Sequence, residues 1–448
     1  MKSKEFSSRR SFLKTGALAA AVAGLSTGTS MRSVHAAENN VLKVGLVGCG
    51  GRGRGAVKDA MTADPNIRLV AIGDAFPENA ATALAAFKKD EMIAARLDVT
   101  PETCFDGLEC YKKVIEACDV VLLCEPSHFR PISLRYAIEN GKHAFAEKPV
   151  AVDGAGVKSV LETAKLAKEK KLNILSGLCW RYDNNVREIM KRVLGGDIGE
   201  VRSTKVSYMT GRLWTRPKKE GDSEMKFQVR NWYNFAWLSG DFNVEQAIHS
   251  VDKMMWSFDD KVPVSAYGVG GRMARIDQPA YGDIYDTMGV YFDFGDGKTG
   301  YMFCRQMNKC YNETWDLFTG STGYARTFGG GFGGGEVFPA GKDSIKIKVP
   351  AAMYVDEHRE FFQAIRSGGQ TYINNGEYMA NSTMAGIMGR MVCYTGKRLT
   401  WQEALDMELP MKPSGYTWDA TPPTLPDENG RYKVEVPGEG LVYHQVTR

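Results

Sequence analysis

Between residues 42 and 177 the chain alternates short apolar runs with longer stretches whose apolar residues recur at helical spacing. The apolar runs are LKVGLVG (42–48), RLVAIGD (68–74), CDVVLLCEP (118–126), KHAFAEKP (142–149) and LNILSG (172–177). A stretch between two of them, GVKSVLETAKLAKEKK (156–171), puts Val, Leu and Ala on one face and Lys and Glu on the other. Buried strands alternating with helices predict a parallel sheet with helices on both sides.

From about Glu200 the texture changes. EVRSTKVSYM, VPVSAYGVGGR, IYDTMGVYFDF, GYMFCRQM and TWDLFTGS are strand-like, several with period-two alternation, and turns such as GDGK (295–298) separate them. This predicts a large, mostly antiparallel open sheet, closed by two helices near 356–367 and 377–395. GGGFGGG (329–335) reads as a loop, and the Pro- and Gly-rich tail after Met411 as a surface wrap. The expected organisation is a leader at 1–36, a first α/β domain at 40–182, an α+β domain at 183–410 and a tail at 411–448.

The leader is set apart by its own pattern. Arg9 and Arg10 are followed by Ser11, Phe12, Leu13 and Lys14, then by an apolar run from Ala17 to Leu25 and small residues at Val34-His35-Ala36. This is the layout of a twin-arginine export signal, and it predicts a periplasmic protein. The run is too short to cross a bilayer, so no membrane anchor is expected.

The formal net charge is +4. Residues 1–36 hold Lys2, Lys4, Arg9, Arg10, Lys14 and Arg32 against Glu5, so the remainder is close to neutral. Such a surface gives no reason to expect a nucleic acid or an anionic membrane as partner. The nine cysteines form no C-x-x-C pair and no Cys/His cluster, so no metal is expected; buried free thiols are the simple reading.

Three motifs carry chemistry. Gly48-Cys49-Gly50-Gly51-Arg52-Gly53 is G-x-G-x-x-G between the first strand and a helix, a turn that brings backbone N–H groups to a pyrophosphate. Asp74 ends the second strand 21 residues after Gly53, where an acid accepts from adenosine ribose hydroxyls and repels a 2′-phosphate. That favours NAD over NADP, against which stand Arg52 and Arg54. Glu147-Lys148-Pro149 follows a further strand and puts a lysine at the carboxyl edge of the sheet. A solvated Lys–Glu pair is the commoner reading of such residues. In LSGDFNVEQAIHSVD (238–252), Glu245, His249 and Asp252 fall on one face of a continuous helix, where a carboxylate and an imidazole can orient a hydroxyl and take its proton. Taken alone, the segment reads more simply as a capped helix with a satisfied histidine.

Together the motifs resemble the Gfo/Idh/MocA family of sugar-modifying oxidoreductases. The resemblance runs through GLVGCGGRGRG, Asp74, EPSHFRP (125–131), EKPV, CWRYDNNV (179–186), GDIGEV (196–201), the Glu245/His249 segment and MGRMVCYTGKRLTW (388–401). It implies a Rossmann domain followed by an α/β domain with an open sheet, and a nicotinamide between them. By motif it implies that Lys148 polarises a substrate hydroxyl and that His249 is the general base. Glu245 stands where many members have Asp. Glu125 and His128 match the loop that lines the nicotinamide, and Arg181 lies near the domain junction. Glu147 joins the cofactor set with the glycine-loop residues and Lys148.

The resemblance implies a carbohydrate dehydrogenase, and export of an already folded protein predicts that its cofactor stays tightly bound. Aromatic residues between 208 and 237 (Tyr208, Trp214, Trp232, Tyr233, Trp237) are candidates for stacking on a sugar or for plain core. Two alternatives stand beside it. One is a redox-neutral glycosidase that oxidises, eliminates, hydrates and reduces; CWRYD resembles that branch, whereas Lys148 and His249 set the chain apart from it. The other is a non-catalytic sugar-binding protein on the same fold. A homo-oligomer built through the C-terminal sheet is a further expectation.

Overall fold

The computed structural model describes residues 41–276, 278–328 and 334–439. The leader residues and 329–333 of the glycine-rich loop lie outside the described residues. A first sheet contains six strands: β1 (Leu42–Val47), β2 (Ile67–Asp74), β3 (Cys104–Asp106), β4 (Val120–Leu123), β5 (His143–Ala146) and β6 (Ile174–Ser176). They run in the order β3-β2-β1-β4-β5-β6, and every pairing is parallel. All four residues of β4 are buried, as a strand covered on both faces must be. β3 is the one strand of this sheet that the apolar pattern does not announce. It has three residues, of which only Phe105 is a large apolar one. The strand order reverses between β1 and β4, and the connections there leave a crevice at the carboxyl ends of the strands.

The helices of this half are set by their own signals. Asp153 caps Gly154–Lys170, its carboxylate accepting from the Gly156 N–H at 2.7 Å. Lys171 ends that helix in the left-handed region at φ 58°.

The second sheet has nine strands: β7 (Val201–Thr210), β8 (Ser265–Gly271), β9 (Thr287–Asp293), β10 (Thr299–Gln306), β11 (Asp316–Gly320), β12 (Tyr324–Thr327), β13 (Gly335–Phe338), β14 (Ile345–Ile347) and β15 (Leu399–Thr400). Their order is β14-β13-β12-β11-β7-β10-β9-β8-β15. All pairs are antiparallel except β7 with β10, which run parallel. Alternation is plain in β9, where Met288, Val290 and Phe292 face the core. The helices Ile248–Ser257 and Gly376–Thr395 pack on β7 and on β8 and β9 respectively. Tyr267, Val269 and Phe303 of this sheet remain exposed.

The chain then returns to the first sheet. Helix Met353–Arg366 packs against Gly51–Ala63, tied by Arg366 to the Asp64 carboxylate at 2.6 Å. Helix Gly376–Thr395 packs against Gly154–Lys170. Helix Gly376–Thr395 is therefore shared between both sheets, whereas Met353–Arg366, expected to close the second sheet, packs with the first domain.

One expectation is corrected. Glu245, His249 and Asp252 do not share a continuous helix: Phe242–Glu245 and Ile248–Ser257 are separate, with Gln246 and Ala247 between them. The Glu245 carbonyl, which would accept from residue 249 in an unbroken helix, accepts from Lys148 Nζ at 2.6 Å instead. Among the described residues no helix is long and apolar enough to cross a membrane, and no group of three His, Cys, Asp or Glu side chains is placed to hold a metal ion.

Candidate active site

The glycine loop leaves β1 at Gly48, which has φ +88° and would drive a Cβ to 2.6 Å from the Cys124 and Glu125 backbone. A Cβ on Gly53 would lie 1.9 Å from the Gly48 carbonyl oxygen, so only glycine lets the helix approach the strand this closely. Gly50 and Gly51 differ: nothing lies within 4 Å of a Cβ at either. No side chain caps the helix Gly51–Ala63 and no acid stands in its first turn. Free N–H groups, a positive helix end and open space above two glycines fit a diphosphate.

Asp74 ends β2 as anticipated and holds the loop. Its Oδ2 accepts from the Cys49 N–H at 2.8 Å; its Oδ1 accepts from the Phe76 N–H at 2.9 Å and from Asn79 at 3.0 Å. Burial raises its pKa, and those hydrogen bonds oppose the rise. A cavity of about 390 Å³ opens here. Gly48, Gly50, Gly51, Arg52, Gly53, Asp74 and Glu125 line it from the first domain, and Trp214, Arg216, Val229, Arg230 and Trp232 from the second. Glu125 accepts from the Ser133 hydroxyl through Oε1, while its Oε2 is buried with no partner. Burial raises the Glu125 pKa.

Arg52 does not reach toward a ribose. Its guanidinium donates to Glu147, to Asp59 at 3.1 Å and to Glu357 at 3.4 Å, with the Tyr354 ring against it. Burial would raise the Glu147 carboxyl, but the charges of Arg52, Lys148 and Arg130 overcome it and hold Glu147 low. For Glu357, wholly buried, burial wins and pushes the carboxyl well up.

Lys148 follows Glu147 at the carboxyl end of β5. Its Nζ donates to the Glu245 carbonyl at 2.6 Å and to Glu245 Oε1 at 3.1 Å. Of three ammonium donors, these bonds use two. Glu245 Oε2 accepts from Gln246 Nε2 at 2.7 Å, and Gln246 Oε1 accepts from the Tyr208 hydroxyl at 3.1 Å. The longer acid in place of aspartate is therefore clasped at both oxygens. His249 stacks on Trp180 with ring centroids 4.9 Å apart, and its Nδ1 is buried without a partner. Burial first, then the charges of Lys148, Lys253 and Arg52, hold the imidazole well below its ordinary pKa. A neutral imidazole beside a buried lysine–carboxylate pair can accept a proton from a hydroxyl that the lysine orients.

Two anticipated cofactor residues are engaged elsewhere. His128 does not line the glycine-loop cavity: its Nε2 lies 3.0 Å from the tail hydroxyl of Tyr416, and its ring packs on Trp237. Burial lowers its pKa to about 4. Arg181 gives its donors to Asp252 (2.8–3.1 Å) and Asp260, between the rings of Trp256 and Tyr378. Asp252 is thereby a structural partner, also accepting from Ser382. Among the aromatics, Tyr233 and Trp237 are core, whereas Trp214 and Trp232 line the cavity. Gln246 lies inside the segment that carries Glu245 but is not singled out by its pattern, and Arg216, Val229, Arg230 and Glu357 come from distant segments that no local sequence signal marks.

Residues 42–175 match the family described as oxidoreductase family, NAD-binding Rossmann fold, of Gfo/Idh/MocA type. The chain is 26% identical over 259 residues to inositol 2-dehydrogenase of Rhizobium meliloti (strain 1021), covering 57% of this chain and 66% of the relative. It is 24% identical over 258 residues to 2,7-anhydro-N-acetylneuraminate hydratase of Escherichia coli (strain K12), covering 58% and 60%. The matches thus span less than two thirds of these relatives' length. In fold it is similar to aldose-aldose oxidoreductase from Caulobacter crescentus, with TM-score 0.63, 18% identity, and coverage of 81% of this chain and 100% of that one. It is also similar to GenD2 from gentamicin A biosynthesis in complex with NAD, with TM-score 0.60, 16% identity and coverage of 84% and 99%. Over residues 42–175 the chain thus resembles the NAD-binding Rossmann domain of Gfo/Idh/MocA oxidoreductases, and the solved structures share its fold through the mostly antiparallel second domain.

Proposed function

We propose that this protein is an NAD-dependent dehydrogenase acting on a carbohydrate or cyclitol hydroxyl, with a cofactor that stays bound between turnovers. The observation that carries the reading is the clasp of Lys148 on Glu245 beside a partly buried, neutral His249, at the strand ends next to the glycine loop. When bound, the nicotinamide supplies a hydride acceptor. Gly50, Gly51 and Gly53 hold its diphosphate and Asp74 faces its adenosine ribose. Lys148 places its remaining donor on the substrate hydroxyl and stabilises the oxygen as negative charge develops. His249 takes the hydroxyl proton. The likeness to inositol 2-dehydrogenase supports a polyhydroxylated ring as substrate.

A redox-neutral reading, in which the substrate carbon is oxidised and then reduced again, is favoured by the likeness to a hydratase, a name that denotes no net redox change. One experiment separates the two. The purified protein is denatured and any released nucleotide identified; the native protein is then supplied with inositols, aldoses and glycosides. A dehydrogenase gives a ketone and reduced nicotinamide, whereas the redox-neutral enzyme gives a rearranged or hydrated product with no net reduction. Absence of any nucleotide affinity sinks both.

The same proposal places the protein in the periplasm, exported by the twin-arginine route, and makes it an oligomer through the outward face of the second sheet. Fractionation with a signal-altered variant (Arg9→Lys, Arg10→Lys) and light scattering test these two points.

A further inference from the structure

The cavity over the glycine loop is not made by the first domain alone. Its outer wall is the segment 212–232, which leaves β7 and comes back across the adenosine side. Trp214 and Trp232 meet edge to face with centroids 5.8 Å apart, giving the cavity an aromatic rim. The segment is fastened to the first domain through Arg230. Arg230, at the end of helix Glu224–Arg230, donates to Glu78 at 2.7 Å and lies over the Phe76 ring at 4.2 Å. Phe76 is two residues past Asp74, and its own N–H is bound to Asp74.

The tail fastens the same segment from behind. Trp418 packs on Phe76 at 5.2 Å, and its carbonyl accepts from the Ser223 hydroxyl that caps helix Glu224–Arg230. Gln228 donates to the Thr424 carbonyl at 2.8 Å. Tyr432 donates to Glu224 and packs edge to face on Phe235 at 4.8 Å. Phe76 is thus gripped by Arg230 from the insertion and Trp418 from the tail, directly beside the carboxylate that faces the adenosine ribose.

We propose that segment 212–232, buckled by tail residues 412–432 onto Phe76 and Glu78, is a clamp that closes the adenosine end of the dinucleotide site and sets how slowly the dinucleotide leaves. The inference rests on the reading of the glycine-loop cavity as a dinucleotide site. Release then requires the Arg230–Glu78 and Phe76–Trp418 contacts to open together, so the barrier to dissociation is carried by protein–protein contacts and not by ligand contacts alone.

The test uses the full-length mature protein and NADH as probe. Bound NADH is chased with excess NAD⁺ and its release followed by nicotinamide fluorescence, in the parent, Trp418→Ala, Arg230→Ala and Glu78→Gln. Glu78 is a half-exposed surface acid, so its variant keeps the fold even if the other two lose it. The expectation is release faster by about tenfold or more in Trp418→Ala and Arg230→Ala, and by about threefold in Glu78→Gln. A second readout needs no variant: Lys218 and Lys219 are exposed on the segment, and bound NADH should slow trypsin cleavage there several-fold. Release rates in folded variants equal to the parent, with cleavage indifferent to NADH, overturn the clamp while leaving the dinucleotide site intact. A protein that binds neither NADH nor ADP-ribose overturns the dinucleotide reading itself, and the clamp with it.

Discussion

Lys148 grips Glu245 twice, once at the main-chain carbonyl at 2.6 Å and once at the carboxylate at 3.1 Å. The carbonyl bond does not depend on the acid's side chain, so Glu245→Gln should leave the lysine in place while removing the charge that balances it. Lys148→Met removes both bonds. Turnover should fall by about 100-fold or more in Lys148→Met, with nucleotide still bound at parent stoichiometry; Glu245→Gln should lose less. Steady-state rates together with nucleotide content per chain check this, and a Lys148→Met enzyme of near-normal rate would remove Lys148 from the site.

The four loop glycines answer different demands, and alanine at each separates them. Gly53→Ala should abolish folding, because its methyl meets the Gly48 carbonyl at 1.9 Å. Gly51→Ala meets no protein atom within 4 Å. Its thermal midpoint should match the parent, and only dinucleotide affinity should fall, by about tenfold or more, as the methyl enters the diphosphate's space. Calorimetry with NAD⁺ and thermal melts on the same samples check both halves.

Two buried imidazoles and a partly buried one make the fold sensitive to acid. Burial lowers His128 to about 4 and His358 to about 3, and it lowers His249 as well. Unfolded histidines take up protons near pH 6.5, earlier than these do as pH falls. The stability they supply is therefore complete above about pH 6.5 and is lost as pH falls toward 4 and 3. His358 packs on Phe145 with both ring nitrogens unpartnered, so His358→Phe should remove one such penalty. At pH 5 it should be more stable than the parent by about 1–2 kcal/mol, with a smaller difference above pH 7. Urea unfolding across pH 5–8 tests the sign.

Arg52 is one cation facing three carboxylates. In Arg52→Met, the buried Glu147 carboxylate loses the foremost of the charges that hold it low, and the fold should lose about 3 kcal/mol or more. Glu357→Gln in the same chain should cost little more, because burial already pushes that carboxyl toward its neutral form. A double-mutant cycle on unfolding free energies measures the coupling; additive effects would mean that Glu357 does not depend on Arg52.

The expectations drawn from the sequence reached the central parallel strands, the glycine turn, the end of β2 at Asp74 and the two late helices. Those features are written in contiguous residues. What stayed hidden is made by pairings between distant segments. The strands β3 and β12 to β15, of two to four residues each, are too short to declare themselves. The break after Glu245 depends on a lysine 97 residues earlier. The engagement of Arg181 by Asp252 and Asp260, and of His128 by Tyr416, arises from partners with which neither motif shares a sequence signal. The face of the cavity formed by Trp214, Arg230 and Trp232 was legible only as an aromatic-rich insertion.

The packing of helix Met353–Arg366 on Gly51–Ala63 also fixes an order of events during synthesis. Arg52 meets Glu357, a residue 305 positions later in the chain. At a translation rate of about 5–20 residues per second, that contact waits roughly 15–60 seconds after the glycine loop has left the ribosome. During that interval the nascent first domain shows the apolar side of its opening helix to solvent or to a chaperone. Completion of the first domain is thus reported only by the arrival of the chain's last quarter, and a fragment ending near residue 182 should aggregate more readily than the whole protein.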